Sequence, residues 1–306
     1  MNVAPDKIII EEVALELGID PAFVEKDWYV VQLIREISGA DLFGAQVIFT
    51  GGTALSKAHR LLQRFSEDID FRLILPTVPP LSGSRQRKLL SAIRDRLREL
   101  VATQFPKSTI QWKARDENRF FSFEVDYPSV VTSSEALRSH VLIEFTTTTL
   151  SLPPLFRPVF SFIAELTKTG AEVAAVACID PVENAVDKVS ALVWRVPDRV
   201  RQPEDNDPDL VRHIHDLAVL QLHATSHADF KRLAIGMIAQ DDDRCEKIAG
   251  LPIGEKLQIL LKILTTDREY RTEYTRFVQG MSYASGGVPT YEEAMIKLKV
   301  LIDHLL

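Results

Sequence analysis

Two periods of apolar and polar residues run along this chain, and the changeover comes near residue 180. The first forty residues favour helix: Pro21 follows Asp20 as a cap-like start, and PAFVEKDWYVVQLIREI repeats with helical spacing. Residues 46–50, QVIFT, then predict a short strand, 53–65 a helix, 68–75 a strand stopped by Pro76, and 84–103 a basic helix. Strand patterning returns at 109–113, 119–126 and 140–150, the last being the β-rich HVLIEFTTTTL, with weaker strand signals at 157–164 and 172–179. From Pro181 the pattern is helical, over 181–195, 209–223, 227–239, 253–265, 268–284 and 290–305. The expectation is an α+β domain over residues 1–175, including the N-terminal helices, followed by a helical domain over 176–306.

Composition changes this picture little. With 306 residues, 46% hydrophobic and 26% charged, the chain can fill one large core or two smaller ones. No apolar run has the length to span a bilayer, so no membrane partner is expected. The N-terminal MNVAPDKIIIEEV carries acids and no cleavage pattern and reads as mature sequence. Cys178 and Cys245 are isolated, which fits a reducing cytoplasm better than a disulfide framework. A net charge of -7 argues against a broad nucleic-acid coat, yet the charge is uneven. Residues 85–98, RQRKLLSAIRDRLR, are strongly basic, whereas 198–209 and Asp241-Asp242-Asp243 lean acidic. Such runs are ordinarily solvated faces; in an RNA-modifying protein the basic helix becomes a surface for the phosphate backbone.

The chemistry concentrates in residues 49–75, FTGGTALSKAHRLLQRFSEDIDFRLIL. Gly51 and Gly52 between a strand and a helix let backbone N–H groups approach a ligand, and a helix start adds partial positive charge suited to phosphate. Thr53 is placed to cap the helix or meet a phosphate oxygen. Lys57, Arg60 and Arg64 have helical spacing and predict a basic stripe, solvated or turned to a triphosphate or RNA backbone. Asp68 and Asp70 alternate with Ile69 and Phe71, so in a strand both carboxylates face one side. Two like charges so placed call for a cation, and Mg²⁺ bound by carboxylates and phosphate oxygens is the expected guest. Glu144, one acid in the apolar run VLIEF, is the best third carboxylate; Glu124 and Asp126 alternate as on a half-exposed strand and are read as structural.

The sequence also resembles a known family. Gly-Gly-Thr-x-Leu-x-Lys followed by Arg-x-Ser-x-Asp-Ile-Asp is similar to the AbiEii/AbiGii (MenT-like) nucleotidyltransferase toxins of the DNA polymerase β superfamily. Residues 23–29, FVEKDWY, resemble the family's N-terminal helix, and 181–192, PVENAVDKVSAL, its second motif with Lys188. Residues 212–217, RHIHDL, resemble its Arg-Asp-x-x-Asp-Leu motif, so the likeness spans roughly residues 20–220. One departure is His213, where the family has aspartate; Arg212 and Asp216, four apart, can pair across a helical turn.

The resemblance implies a polymerase-β-type nucleotidyltransferase core with a mixed sheet, then a helical domain. It implies an NTP substrate, with CTP or another pyrimidine among the candidates, Mg²⁺ as cofactor, tRNA as acceptor and an antitoxin of DNA-binding or kinase type as partner. In the residues of this chain, Gly51, Gly52, Thr53, Lys57 and Ser66 line the nucleotide, and Asp68, Asp70 and Glu144 hold metal. Lys188 meets the triphosphate or leaving pyrophosphate, and Asp216 completes the site. Phosphate on Ser66 would set about two negative charges beside the carboxylates and silence the enzyme. Two rivals stay open: the same chemistry on a protein or small-molecule acceptor, and an inactive binding protein. An HD-type hydrolase built on His215-Asp216 with His223 and His227 lacks further ligands to complete it.

Overall fold

The computed structural model describes residues 4–77, 82–106, 108–134, 137–202, 206–283 and 287–306. Residues 1–3, residues 203–205 of the acidic stretch, and Ala284 at the end of the expected 268–284 helix lie outside the described residues. The chain divides into two compact units, one of residues 1–60 and 65–179, the other of 61–64 and 180–306.

The first unit opens with α1 (Lys7–Leu17) and α2 (Pro21–Ser38). The Asp20 carboxylate accepts from Ala22 N at 2.8 Å, and Pro21 fits the first turn, where no N–H is needed. Seven strands follow: β1 (Gln46–Thr50), β2 (Asp68–Ile74), β3 (Ile110–Arg115), β4 (Phe120–Asp126), β5 (His140–Thr147), β6 (Leu155–Val159) and β7 (Val173–Cys178). They form one mixed sheet in the order β3-β4-β5-β2-β1-β7-β6, with β2/β5 and β1/β7 parallel and the other pairs antiparallel. One face carries a transverse row of phenylalanines, Phe49, Phe71, Phe145 and Phe121, register partners across β1, β2, β5 and β4. Their ring centroids are 5.6, 5.5 and 4.8 Å apart in turn. This face joins one core with Val30, Val31 and Ile34 of α2 and with Leu90, Ile93, Leu97 and Val101 of α4 (Gly83–Gln104). The apolar spacing of α4 leaves its basic residues outward, as an amphipathic helix must.

Two expected elements differ. The helix expected over 53–65 is one short α-helical turn, α3 (Gly51–Thr53), continued by a π-helical turn (Ala54–Ala58). Arg60 then adopts φ 56°, which ends the helix. The run expected as strand over 157–164 divides into β6 and a helix, α5 (Phe162–Thr167), because Ser161 caps it by accepting from Ala164 N at 3.1 Å.

The second unit is helical: α6 (Pro181–Asp198), α7 (Val211–Thr225), α8 (Phe230–Gln240), α9 (Ile253–Thr266), α10 (Glu269–Met281) and α11 (Tyr291–Leu305). An Asp-Pro start recurs at α6, where Asp180 accepts from Val182 N at 2.8 Å. A capping box of Thr290 and Glu293 opens α11. Helix α7 lies against α6, α10 and α11. Residues 61–64 join this unit through a bridge between Arg64 and Ser282 and a 3.2 Å bond from Tyr283 N to the Gln63 carbonyl.

Candidate active site

The sheet face opposite the phenylalanine row holds the carboxylates. Asp68 and Asp70 alternate with buried Ile69 and Phe71, so both point to this face. Asp70 is in register with Thr50 of β1 and Glu144 of β5, and Glu144 with Ser122 of β4. Thr50, Asp70, Glu144 and Ser122 therefore form a polar row on the face opposite the aromatic one.

The turn after β1 is shaped around Asp70. Gly51 has φ 76°, a conformation costly for a residue with a Cβ. A Cβ there would also lie 1.9 Å from Asp70 Oδ2 and 2.8 Å from its Cγ. Gly52 and Thr53 are buried. The Thr53 hydroxyl donates to the Asp68 carbonyl, and lies 3.3 Å from the Ser66 carbonyl. Thr53 thus ties the turn to the start of β2 instead of capping a helix, and it holds the half-buried Ser66 at the same junction.

Three consecutive charged residues of α2 set the surroundings. Glu25 accepts from Val130 N at 2.7 Å and from the Ser129 hydroxyl. Lys26 donates to Glu67 at 2.5 Å and to the Arg138 carbonyl at 2.9 Å. Burial depresses the Lys26 ammonium, against the opposing pull of Glu67. Asp27 pairs with Lys57 at 2.8 Å and accepts from Phe162 N at 2.7 Å. Burial pushes the Asp27 carboxyl up, and Lys57 opposes it. Arg138, which no motif singled out, donates to Asp68 Oδ1 at 2.6 Å and supplies the positive charge Asp68 would otherwise take from a bound cation.

The expected basic stripe is corrected by this geometry. With the helix ended at Ala58, Lys57, Arg60 and Arg64 part company. Lys57 is buried in the Asp27 pair, its Nζ 4.1 Å from the Phe162 ring centroid, and shares no stripe with Arg60 and Arg64. Arg60 is exposed and meets Glu165 at 3.0 Å. Arg64 is buried in the second unit, where its Nε and Nη2 each donate to Asp216 at 2.7 Å.

Asp216 is fully buried and also lies 2.9 Å from Lys188 Nζ and 3.3 Å from His215 Nδ1. Burial alone would raise this carboxyl, but Arg64 and Lys188 together hold it well below the ordinary carboxylate range. Lys188 and Asp216, far apart in sequence, are thus direct partners. Asp216 is held by Arg64 from a segment 152 residues away, a contact that the four-residue spacing to Arg212 did not suggest. His213 is kept neutral: burial lowers its pKa well below the ordinary value, and Lys188, Arg212 and Arg195 lower it further. Arg195 Nη1 approaches His213 Nε2 at 3.4 Å, while among the described residues buried His213 Nδ1 has no hydrogen-bond partner.

Asp68 and Asp70 offer a hard, all-oxygen donor set, and Gly51 leaves the space that brings Asp70 into it. Among the described residues no three His, Cys, Asp or Glu side chains converge on one metal position. Glu144 stands beside Asp70 in register without closing a three-carboxylate cage. Two carboxylates completed by substrate phosphates suit Mg²⁺, which seldom takes an all-protein cage.

The model of the nucleotidyl transferase AbiEii toxin family, type IV toxin–antitoxin system, matches residues 33–296. Among solved structures, the nucleotidyltransferase toxin MenT4 of Mycobacterium tuberculosis aligns over 96% of this chain and 89% of its own, with a TM-score of 0.60. At 16% identity that likeness is one of fold, and the fold is the α+β arrangement expected from the sequence. No curated protein matches the sequence.

Proposed function

The chain belongs to the AbiEii family of nucleotidyltransferase toxins of type IV toxin–antitoxin systems, and from that premise we propose that it transfers a nucleoside monophosphate from an NTP to the 3′ end of tRNA. The observation that carries this reading is the pair Asp68 and Asp70 on one face of β2, beside a glycine whose missing Cβ makes room for Asp70. The acceptor 3′-hydroxyl oxygen forms a bond to the α-phosphorus, the α–β bridging bond breaks, and pyrophosphate leaves. Asp68 and Asp70 would hold Mg²⁺, with Glu144 next to Asp70. When bound, the ion screens the triphosphate and lowers the pKa of the attacking hydroxyl. The chain's part is mainly positioning: the turn at Gly51 and Gly52 admits phosphate close to the backbone, Thr53 and Lys26 fix the β2 start, and the strand aims both carboxylates. Lys188, oriented by Asp216, gives the second unit a cation suited to a triphosphate or pyrophosphate. Phosphorylation of Ser66, at the β2 junction, would add negative charge beside Asp68 and oppose NTP binding, a route open to an antitoxin of kinase type, with one of DNA-binding type the other candidate.

Label transfer tests the reading. The protein is incubated with Mg²⁺, total tRNA and each α-³²P-NTP in turn, beside Asp70→Ala. Label on tRNA from one NTP, absent with Asp70→Ala, is the expected result and names the nucleotide. No label on tRNA with any NTP removes tRNA as acceptor, and the same assay in whole lysate then finds another acceptor or none.

A further inference from the structure

The sheet face that carries the carboxylates does not stop at them. Register continues the polar row from Asp70 through Glu144 and Ser122 to Lys113 of β3. The next row on that face runs from Arg72 through Thr146 and Phe120 to Arg115. At about 4.8 Å per strand, Lys113 lies roughly 10 Å from Glu144 and 14 Å from Asp70 along the sheet. Strand β3 is at one edge of the sheet, and its residues 111–115 are exposed. Lys113 is 77% exposed and only lightly engaged, 3.2 Å from Glu124. The Arg115 guanidinium lies over the Phe120 ring at 4.0 Å.

The strand is held in place from behind. Residues 116, 117 and 118 take φ values of 51°, 56° and 68°, an unusual run for residues with a Cβ. Asn118 of this turn accepts from Arg94 at 2.7 Å and donates to Ser91 at 3.1 Å, and Glu117 meets Arg87 at 2.7 Å. Arg94 also lies over Trp112, 4.5 Å from its ring, with Arg98 at 5.9 Å. Residues 85–119 carry ten Lys and Arg against four Asp and Glu, in a chain of net charge -7. Charges on an edge strand commonly serve only to prevent strand pairing. Here Lys113 and Arg115 both stand on the carboxylate face, whereas Trp112, 42% accessible, stands on the opposite face against Arg94.

We propose that Lys113 and Arg115 form a phosphate-binding track that guides a polynucleotide acceptor along the sheet face toward Asp70. This rests on the nucleotidyltransferase reading above and deepens it by assigning where the acceptor's backbone is held. Phosphate contacts of this kind set position and general affinity, not sequence preference.

The test is binding of total tRNA to the full chain across 50–200 mM salt. The double variant Lys113→Glu/Arg115→Glu is compared with Lys231→Glu/Lys262→Glu, an equal charge change at exposed positions of the second unit. The track variant should lose about tenfold in affinity, and its log–log salt slope should flatten by about 1.4, the share of two contacts to single-stranded phosphates. The control pair should bind as wild type, and a fluorescent NTP analogue should bind all three proteins equally. Wild-type tRNA binding by the track variant, or an equal loss in the control, overturns the proposal. If that happens while label still reaches tRNA, only the track falls. If wild-type protein never labels tRNA, the acceptor reading falls and the track with it.

Discussion

At the scale of single residues, the missing Cβ sets Gly51 apart from every other amino acid. Its Cβ would sit 1.9 Å from Asp70 Oδ2, and its φ of 76° disfavours a side chain besides. Gly51→Ala should therefore displace Asp70 and lower kcat/KM for transfer by about 100-fold, the order of effect expected from an ångström-scale misplacement. Near-wild-type transfer by the folded variant would contradict the assigned place of Asp70. His213 gives a prediction in pH. Unfolded, the ring takes a proton near pH 6.5; folded, burial and the cations Lys188, Arg212 and Arg195 keep it neutral well below that. The unfolded state then binds more protons, so stability falls as pH drops below about 6.5 and is unaffected above it. Asp216, whose carboxyl is depressed, contributes fully above its unfolded value of about 3.9 and stays constant in this window. Between pH 7.5 and 5.5, urea melts of His213→Gln should show a loss smaller than wild type, by about 1 kcal/mol. Identical losses would mean the folded ring protonates freely.

At the scale of elements, α2 works as a clamp as much as a core helix. Glu25, Lys26 and Asp27 each reach a different part of the first unit, and Lys26 fixes Glu67, the residue before Asp68. Lys26→Met should cost about 2–3 kcal/mol, less than the ~3–5 of a fully buried pair because Glu67 keeps Arg138 and some water. Transfer should fall more than stability alone explains, read as a lower kcat in protein shown to be folded by circular dichroism. An unchanged kcat would mean β2 holds Asp68 without help. Much of this was readable beforehand. The alternation around Asp68 and Asp70 fixed which side they face, and Asp-Pro marked the starts of α2 and α6. The π-helical turn was not readable, since nothing in LSKAHRLLQRF opposes a longer helix; tertiary partners draw Lys57 and Arg64 to different places. Helix α5 was hidden because Phe160 and Phe162 fit a strand as well as a helix, and a single serine cap decides it. Arg138 escaped because a lone arginine in a loop carries no spacing signal.

At the scale of the whole molecule, the units are not sequential. Residues 61–64 belong with 180–306, and Arg64 is the two-toothed partner of a fully buried aspartate. A fragment of 180–306 alone would keep Asp216 and Lys188 but lack Arg64. We expect it to be less stable by about 3–5 kcal/mol than the unit with its segment, or not to fold. Circular dichroism melts of the fragment, with and without a 61–64 segment linked through a flexible spacer, would measure this; equal stability would show the segment to be incidental. The same interleaving acts during synthesis. At about 5–20 residues per second, the 152 residues between Arg64 and Asp216 take roughly 8–30 s to translate. Through that interval Arg64 lacks the carboxylate of Asp216, whereas Lys57 and Glu67 can already meet Asp27 and Lys26. A chain cut short anywhere before α7 therefore carries an Arg64 whose aspartate was never made, and the buried ion pair is a property of the finished chain alone.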